Sequence, residues 1–296
     1  MVTKTKSIKP DTTPATTAAP ESTGWQKLIK PLLIAFVILY LGLVLFIPAL
    51  NVFVQAFSGG IGLFLKTFSQ RAFLNALWLT LLMAVISVPL NTVFGLCAAW
   101  AIARNKQFPG RALLISIIDL PFSVSPVVAG LMIVLLYGRN GWFGPLLEAN
   151  DIKIIFAVPG MVLATLFVSL PFVAREVLPV LEEIGPEQEE AAKTLGASEW
   201  QTFWRVTLPS IRWGLLYGVL LTNARAMGEF GAVAVVSGNI TGKTQTLPLF
   251  VEEAYKQYHT EAAYSAAVLL AGLAIVTMVA KALLERRTGL KTGAGH

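Results

Sequence analysis

Apolar stretches long enough to cross a hydrocarbon core of roughly 30 Å recur along the chain. They lie at 32–57, 72–103, 112–137, 154–174, 213–236 and 262–280, and charged side chains enter only the third (Asp119) and the fifth (Arg225 and Glu229). Within each stretch the apolar residues run on instead of alternating with polar ones. The pattern predicts an all-α integral membrane protein with six transmembrane helices. Residues 1–24 break it. Their Thr, Ala, Pro and scattered Lys offer few large apolar side chains to offset the entropy of ordering, so they read as a disordered tail ahead of a membrane domain at 25–290. The first apolar run, uncharged over 31–65, far exceeds the roughly 7–15 residues of a signal-peptide core and is expected to stay as an anchor.

Charge then orients the spans. With the N-terminus inside, the cytoplasmic segments hold Lys4, Lys6, Lys9, Lys27 and Lys30, then Arg104, Lys106 and Arg111, then Arg175, Lys193, Arg205 and Arg212, then Lys281, Arg286, Arg287 and Lys291. The outer connections hold only Lys66, Arg71, Arg139, Lys153, Lys243 and Lys256. This asymmetry predicts that both termini are cytoplasmic in a multi-pass inner (plasma) membrane protein. The net charge of +6 is therefore an orientation signal, not a compact patch for nucleic acid.

Composition removes most enzyme chemistry. Cys97 is the single cysteine, which excludes a disulfide framework, and it reads as a small buried hydrophobe. His259 and His296 are too few for a His-rich metal centre, and no nucleophile elbow, zinc-protease pair or phosphate-binding loop is present. No catalytic residue, metal or cofactor of its own is expected for the chain.

The longest cytoplasmic connection, 178–212, differs from the others in being polar and helix-prone. The outer connections instead carry Gly and Asn turn signals, at 138–144 and 238–242. Within 178–212 stand Glu190-Ala191-Ala192, Gly196 after three residues, and Val206-Thr207-Leu208-Pro209 after nine more. This resembles the Glu-Ala-Ala motif of membrane subunits in binding-protein-dependent ABC importers, with Val206 in place of Ile. The physical reading agrees. Pro186 suits a first helical turn, Glu187, Glu189 and Glu190 complement the N-terminal dipole, and Gly196 is placed to end the helix. A second segment, 198–206, presents Trp200, Phe203 and Trp204 before Leu208-Pro209 stops it. The result is a helical knob able to seat in a groove of another protein, or an amphipathic hairpin on the membrane surface. The resemblance implies the first, with Glu190, Ala191, Ala192, Gly196, Val206, Leu208 and Pro209 coupling the chain to an ATP-binding cassette subunit.

Further segments, 119–126, 226–232, 236–239 and 246–249, are similar to sulfate/thiosulfate permease subunits, the W-type member of a pseudo-symmetric pair. The resemblance covers about 25–290. It implies an importer subunit without catalytic residues, with ATP and Mg held by the partner ATPase. Its other expected partners are a second homologous permease subunit, a periplasmic sulfate-binding protein and membrane lipid, with no nucleic acid. Permeases for molybdate or tungstate are close relatives, and an ion-coupled secondary anion transporter is the alternative from a different class.

A path for a dianion must replace lost water with donors. Pro121 and Pro126 are expected to kink or break the third span, exposing helix N-terminal amides beside Ser123 and Ser125. The other reading is a kinked packing helix whose serines bond back to their own carbonyls. Asp119 is expected to cap a helix or pair with a cation such as Arg111. Arg225 and Glu229, four apart on the fifth helix, are either an anion contact or gate held by its partner, or a neutral internal clip. Gly214, Gly218, Gly228 and Gly231 read as close-packing positions, and 246–249 as an outer loop or turn.

Overall fold

A computed structural model describes residues 24–105 and 107–288; the tail at 1–23, Lys106 and the C-terminal residues, with Lys291 and His296, lie outside it. Among the described residues all regular structure is helical. The described residues fall into two compact units that divide between Asn51 and Val52. The first holds α1 (Gly24–Leu41), a π turn (Gly42–Phe46) and the start of α2 (Ile47–Phe57), and from Ile29 onward its large apolar side chains are exposed all round. A helix apolar on every side is one made for lipid or for a membrane neighbour.

The second unit continues with α3 (Ile61–Thr67), α4 (Arg71–Arg104), α5 (Arg111–Ser123), α6 (Pro126–Tyr137), α7 (Gly144–Ala149), α8 (Val158–Ser169) and α9 (Pro171–Ile184). After these come α10 (Glu187–Thr194), α11 (Glu199–Thr202), a π turn (Phe203–Thr207), α12 (Leu208–Met227), α13 (Gly231–Ser237), α14 (Leu247–Lys256) and α15 (Thr260–Thr288). Among the described residues four helical segments are long and apolar enough to cross a membrane, and the number reaches six if each of two bent pairs is one span. These pairs are α5 with α6, bent by 112°, and the Glu199–Met227 helix with α13, bent by 49°.

Close backbone approach holds the long helices together. An added Cβ on Gly95 of α4 would stand 2.7 Å from the Val173 Cβ of α9, and one on Gly218 of α12 would stand 3.0 Å from the Val173 Cα. A cluster of Ala99, Ala103, Val173, Val177, Leu181 and Ile211 fills the seam between α4, α9 and α12. In a membrane, where lipid is as apolar as the core, such small-residue seams are how helices gain contact. Gly214 packs on Val180 and Gly231 on Pro126 as the glycine pattern predicts, whereas Gly228 meets only its own helix.

Two expectations fail here. Leu208-Pro209 does not stop the second knob segment: the chain runs on into α12 through the π turn 203–207. Proline lacks an N–H and crowds the carbonyl four residues back, and a widened turn just ahead of it relieves both. The same device precedes Pro48. Nor is 246–249 an outer loop. Thr246 precedes α14, and Leu247 and Leu249 are fully buried.

Candidate functional site

The motif lies on α10 and the turn after it. Three glutamates occupy the first helical turn, and the helix closes in a Schellman turn: the Ala197 N–H donates to the Ala192 carbonyl (3.0 Å) and the Gly196 N–H to that of Lys193 (2.9 Å). Gly196 takes φ +87°, a conformation open to glycine. A capping box restarts the chain, with the Gln201 N–H donating to Ser198 Oγ (3.3 Å) and the Ser198 N–H to Gln201 Oε1 (2.9 Å). Lys193 Nζ spans the turn to Glu199 Oε1 at 2.7 Å.

Helical periodicity divides this knob into two faces. Glu190, Ala191 and Leu195 point to solvent, Leu195 at 89% exposure, beside Trp200 and Trp204, whose rings meet edge-on at 5.4 Å. Glu189, one position before the motif, points inward. Arg104 at the end of α4 grips its carboxylate with two prongs, Nε to Oε2 and Nη2 to Oε1, both 2.9 Å. The Thr207 hydroxyl adds a 2.8 Å bond, and Arg104 Nη1 donates to the Leu181 carbonyl of α9 at 3.0 Å. From its sequence position Glu189 reads only as a charge that complements the helix N-terminus. Its partner stands 85 residues away, and nothing local announces it. Val206, Leu208 and Pro209, the rest of the motif, form the π turn and the start of α12.

The second candidate region lies at the helix breaks. The third span breaks where Pro121 and Pro126 predict, between Ser123 and Pro126. Ser123 and Ser125 are exposed at the break, without a hydrogen bond among the described residues, so they do not bond back to carbonyls as Ser116 and Ser210 do. The two breaks touch, since a Cβ on Gly231 would stand 2.9 Å from the Pro126 Cβ. Arg225 and Glu229 pair at 3.0 Å through Nη2 and Oε2, while Glu229 Oε1 accepts the Ala232 N–H at 2.9 Å and so caps α13. Glu229 thus serves the second half of the broken helix as well as its arginine.

Asp119 pairs with Arg175 (2.8 Å), whose guanidinium also lies over Phe122, and not with Arg111, which reaches Glu182 at 3.0 Å. Arg111 starts α5, while Asp119 lies two turns further on, beside α9. Cys97, expected to be buried, is exposed on the outer face of α4.

Comparison with known proteins identifies the setting of these features. Residues 94–290 match the family described as binding-protein-dependent transport system inner membrane component. The sulfate transport system permease protein CysW of Synechococcus elongatus is 72% identical over 265 residues, 89% of this chain and 92% of that protein. The Escherichia coli protein of the same name is 50% identical over 87% of this chain and 88% of its own length, and the E. coli permease CysT 37% identical over 88% and 93%. Among solved structures, a bacterial alginate ABC transporter in complex with an alginate-bound periplasmic protein superposes with a TM-score of 0.73 at 19% identity, covering 89% of this chain and 95% of that one, a likeness of fold alone. The knob motif, the bent helix pairs and these matches converge: the chain belongs to the family of binding-protein-dependent transport system inner membrane components.

Proposed function

We propose that this chain is a membrane-spanning subunit of an ABC importer that moves sulfate or thiosulfate into the cytoplasm, with ATP and Mg bound on separate cassette subunits. It pairs with a second, homologous permease subunit, receives its anion from a periplasmic sulfate-binding protein, and hydrolyses nothing itself. Each bent helix pair counts as one span, giving six spans with both termini cytoplasmic. The exposed face of the 190–196 knob, with Val206, Leu208 and Pro209 at its base, docks on the ATPase. Ser123, Ser125, Arg225 and Glu229 border the anion path at the meeting of the two helix breaks.

One observation carries the reading: Glu190, Ala191 and Gly196 stand exposed on a capped helix–turn–helix whose half-buried base includes Val206 and Leu208, as a docking knob requires. The 72% identity to a sulfate permease supports the substrate. Reconstitution of the chain with its ATPase, partner permease and binding protein in vesicles tests it. Labelled sulfate uptake should require ATP, persist when ion gradients are collapsed, and be competed by thiosulfate. Uptake driven by a gradient without ATP would overturn the importer reading, and stronger competition by molybdate would reassign the anion. With Cys97 replaced, Leu195→Cys and Lys243→Cys should label from opposite sides of the membrane; labelling from one side would overturn the span count.

A further inference from the structure

The knob is held at three places of different character. At each end stands a glycine with positive φ, Gly185 at +72° and Gly196 at +87°, where the backbone can swivel with little steric resistance. Between them, Glu189 is fastened to Arg104 of α4 and to Thr207, at the entry to α12, while Arg104 also grips Leu181 of α9. The Arg104 and Glu189 side chains are 11% and 9% exposed, so water does not compete strongly for these bonds. A helix hinged at both ends would absorb a push from a docked partner by turning in place. The two-pronged bond to Arg104 of α4, the Thr207 bond at the entry to α12 and the Arg104 bond to α9 together oppose that.

We infer that Glu189 is the positioning residue of the coupling machinery: it converts displacement of the docking knob into joint movement of α4, α9 and α12. The inference rests on the reading that the ATPase docks on the knob, and it adds a role that the motif residues do not have. Glu190 and Leu195 face the partner and set whether it binds. Glu189 faces away from it and sets how much of its motion reaches the membrane. Arg104 is part of the device through geometry as well as charge, because only a guanidinium spans both carboxylate oxygens while keeping a third donor for a carbonyl.

The test uses the complete complex in vesicles, with copurified ATPase, ATP hydrolysis and sulfate uptake measured on each variant. Glu189→Gln removes the charge at nearly constant shape. The double variant Arg104→Met with Glu189→Gln leaves no unpaired buried charge and guards against misfolding of the single one. Both should retain the ATPase and its hydrolysis, while sulfate taken up per ATP falls about tenfold. Arg104→Lys, which keeps charge but loses the two-pronged grip, should be uncoupled in the same direction. Unchanged uptake per ATP in the double variant would overturn the inference. So would loss of the ATPase from it, since Glu189 would then be shaping the docking face. Leu195→Glu, on the bare face, should instead shed the ATPase; a Leu195→Glu complex that keeps it would sink the docking reading itself.

Discussion

Two arginine–glutamate pairs in this molecule have opposite designs. Arg104 and Glu189 are consumed by each other: both carboxylate oxygens and three guanidinium nitrogens are bonded, and neither side chain is more than 11% exposed. Arg225 and Glu229 share one contact, Glu229 is 2% exposed, and Arg225, at 35%, has no other polar partner among the described residues. A saturated pair fixes the position of what carries it. A pair with an open guanidinium beside two helix breaks keeps donors for something else. The contrast separates the proposed coupling joint behind the motif knob from the proposed anion contact at the helix breaks.

The largest effect expected is from breaking the saturated pair on one side only. Arg104→Met leaves Glu189 buried and unpaired apart from Thr207, which should destabilise the protein by about 3–5 kcal/mol. Its detergent-solubilised form should lose thermal stability and yield. Adding Glu189→Gln should recover most of that loss. No recovery would mean that the two side chains do not share one interaction.

The open pair should respond differently. Arg225→Met is expected to cost less, about 2 kcal/mol, because Glu229 keeps its bond to the Ala232 N–H and Arg225 gives up one contact instead of three. The double variant with Glu229→Gln should fold, bind its ATPase and still fail to take up sulfate. Full uptake by the double variant would make Arg225–Glu229 a second structural clip and erase the contrast.

The two pairs also differ in how they can be read from the chain. Arg225 and Glu229 are four apart in one helix, so their contact follows from helical geometry. Glu229 as the cap of α13 does not, because that needs the break after Gly228, which no proline marks. The third span is the reverse case: Pro121 and Pro126 announce its break, but its 112° bend depends on the neighbouring helices. The motif face of the knob is legible because spacing and capping are local. The inner face is not, since Glu189 is one of three glutamates in a row of four and only tertiary packing singles it out. Asp119 pairs with a cation as its setting predicts, but which cation is settled by tertiary packing for the same reason. Arg111 is nearer in sequence, while Arg175 is delivered by another helix.

A smaller effect tests the turn beside the saturated pair. A Cβ on Gly196 would meet open space, so Gly196→Ala adds no clash and reports backbone strain alone, about 1–2 kcal/mol at this φ. Copurified ATPase should fall with Gly196→Ala and recover in part with Gly196→Asn, which tolerates positive φ better. If Gly196→Ala leaves ATPase binding intact and Gly196→Leu abolishes it, bulk at the docking face is what matters and the turn conformation is not.

The smallest effect is expected from pH, and its sign is fixed by the saturated pair. Burial pushes the Glu189 carboxyl up, but hydrogen bonds from Arg104 and Thr207, with the charges of Arg104 and Lys193, outweigh it and hold the group below its ordinary 4.5. A carboxyl depressed in the folded state contributes stability above its unfolded value and loses it as pH falls through the folded one. The stability difference between the native protein and the Arg104→Met, Glu189→Gln variant should therefore stay flat between about pH 5 and pH 8 and shrink only in stronger acid. Melting curves of the two proteins across that range measure it. A difference that changed near neutral pH would require another titrating group at the joint. The two-pronged pair would then no longer be the self-sufficient unit that sets this end of the molecule apart from the open pair in the membrane.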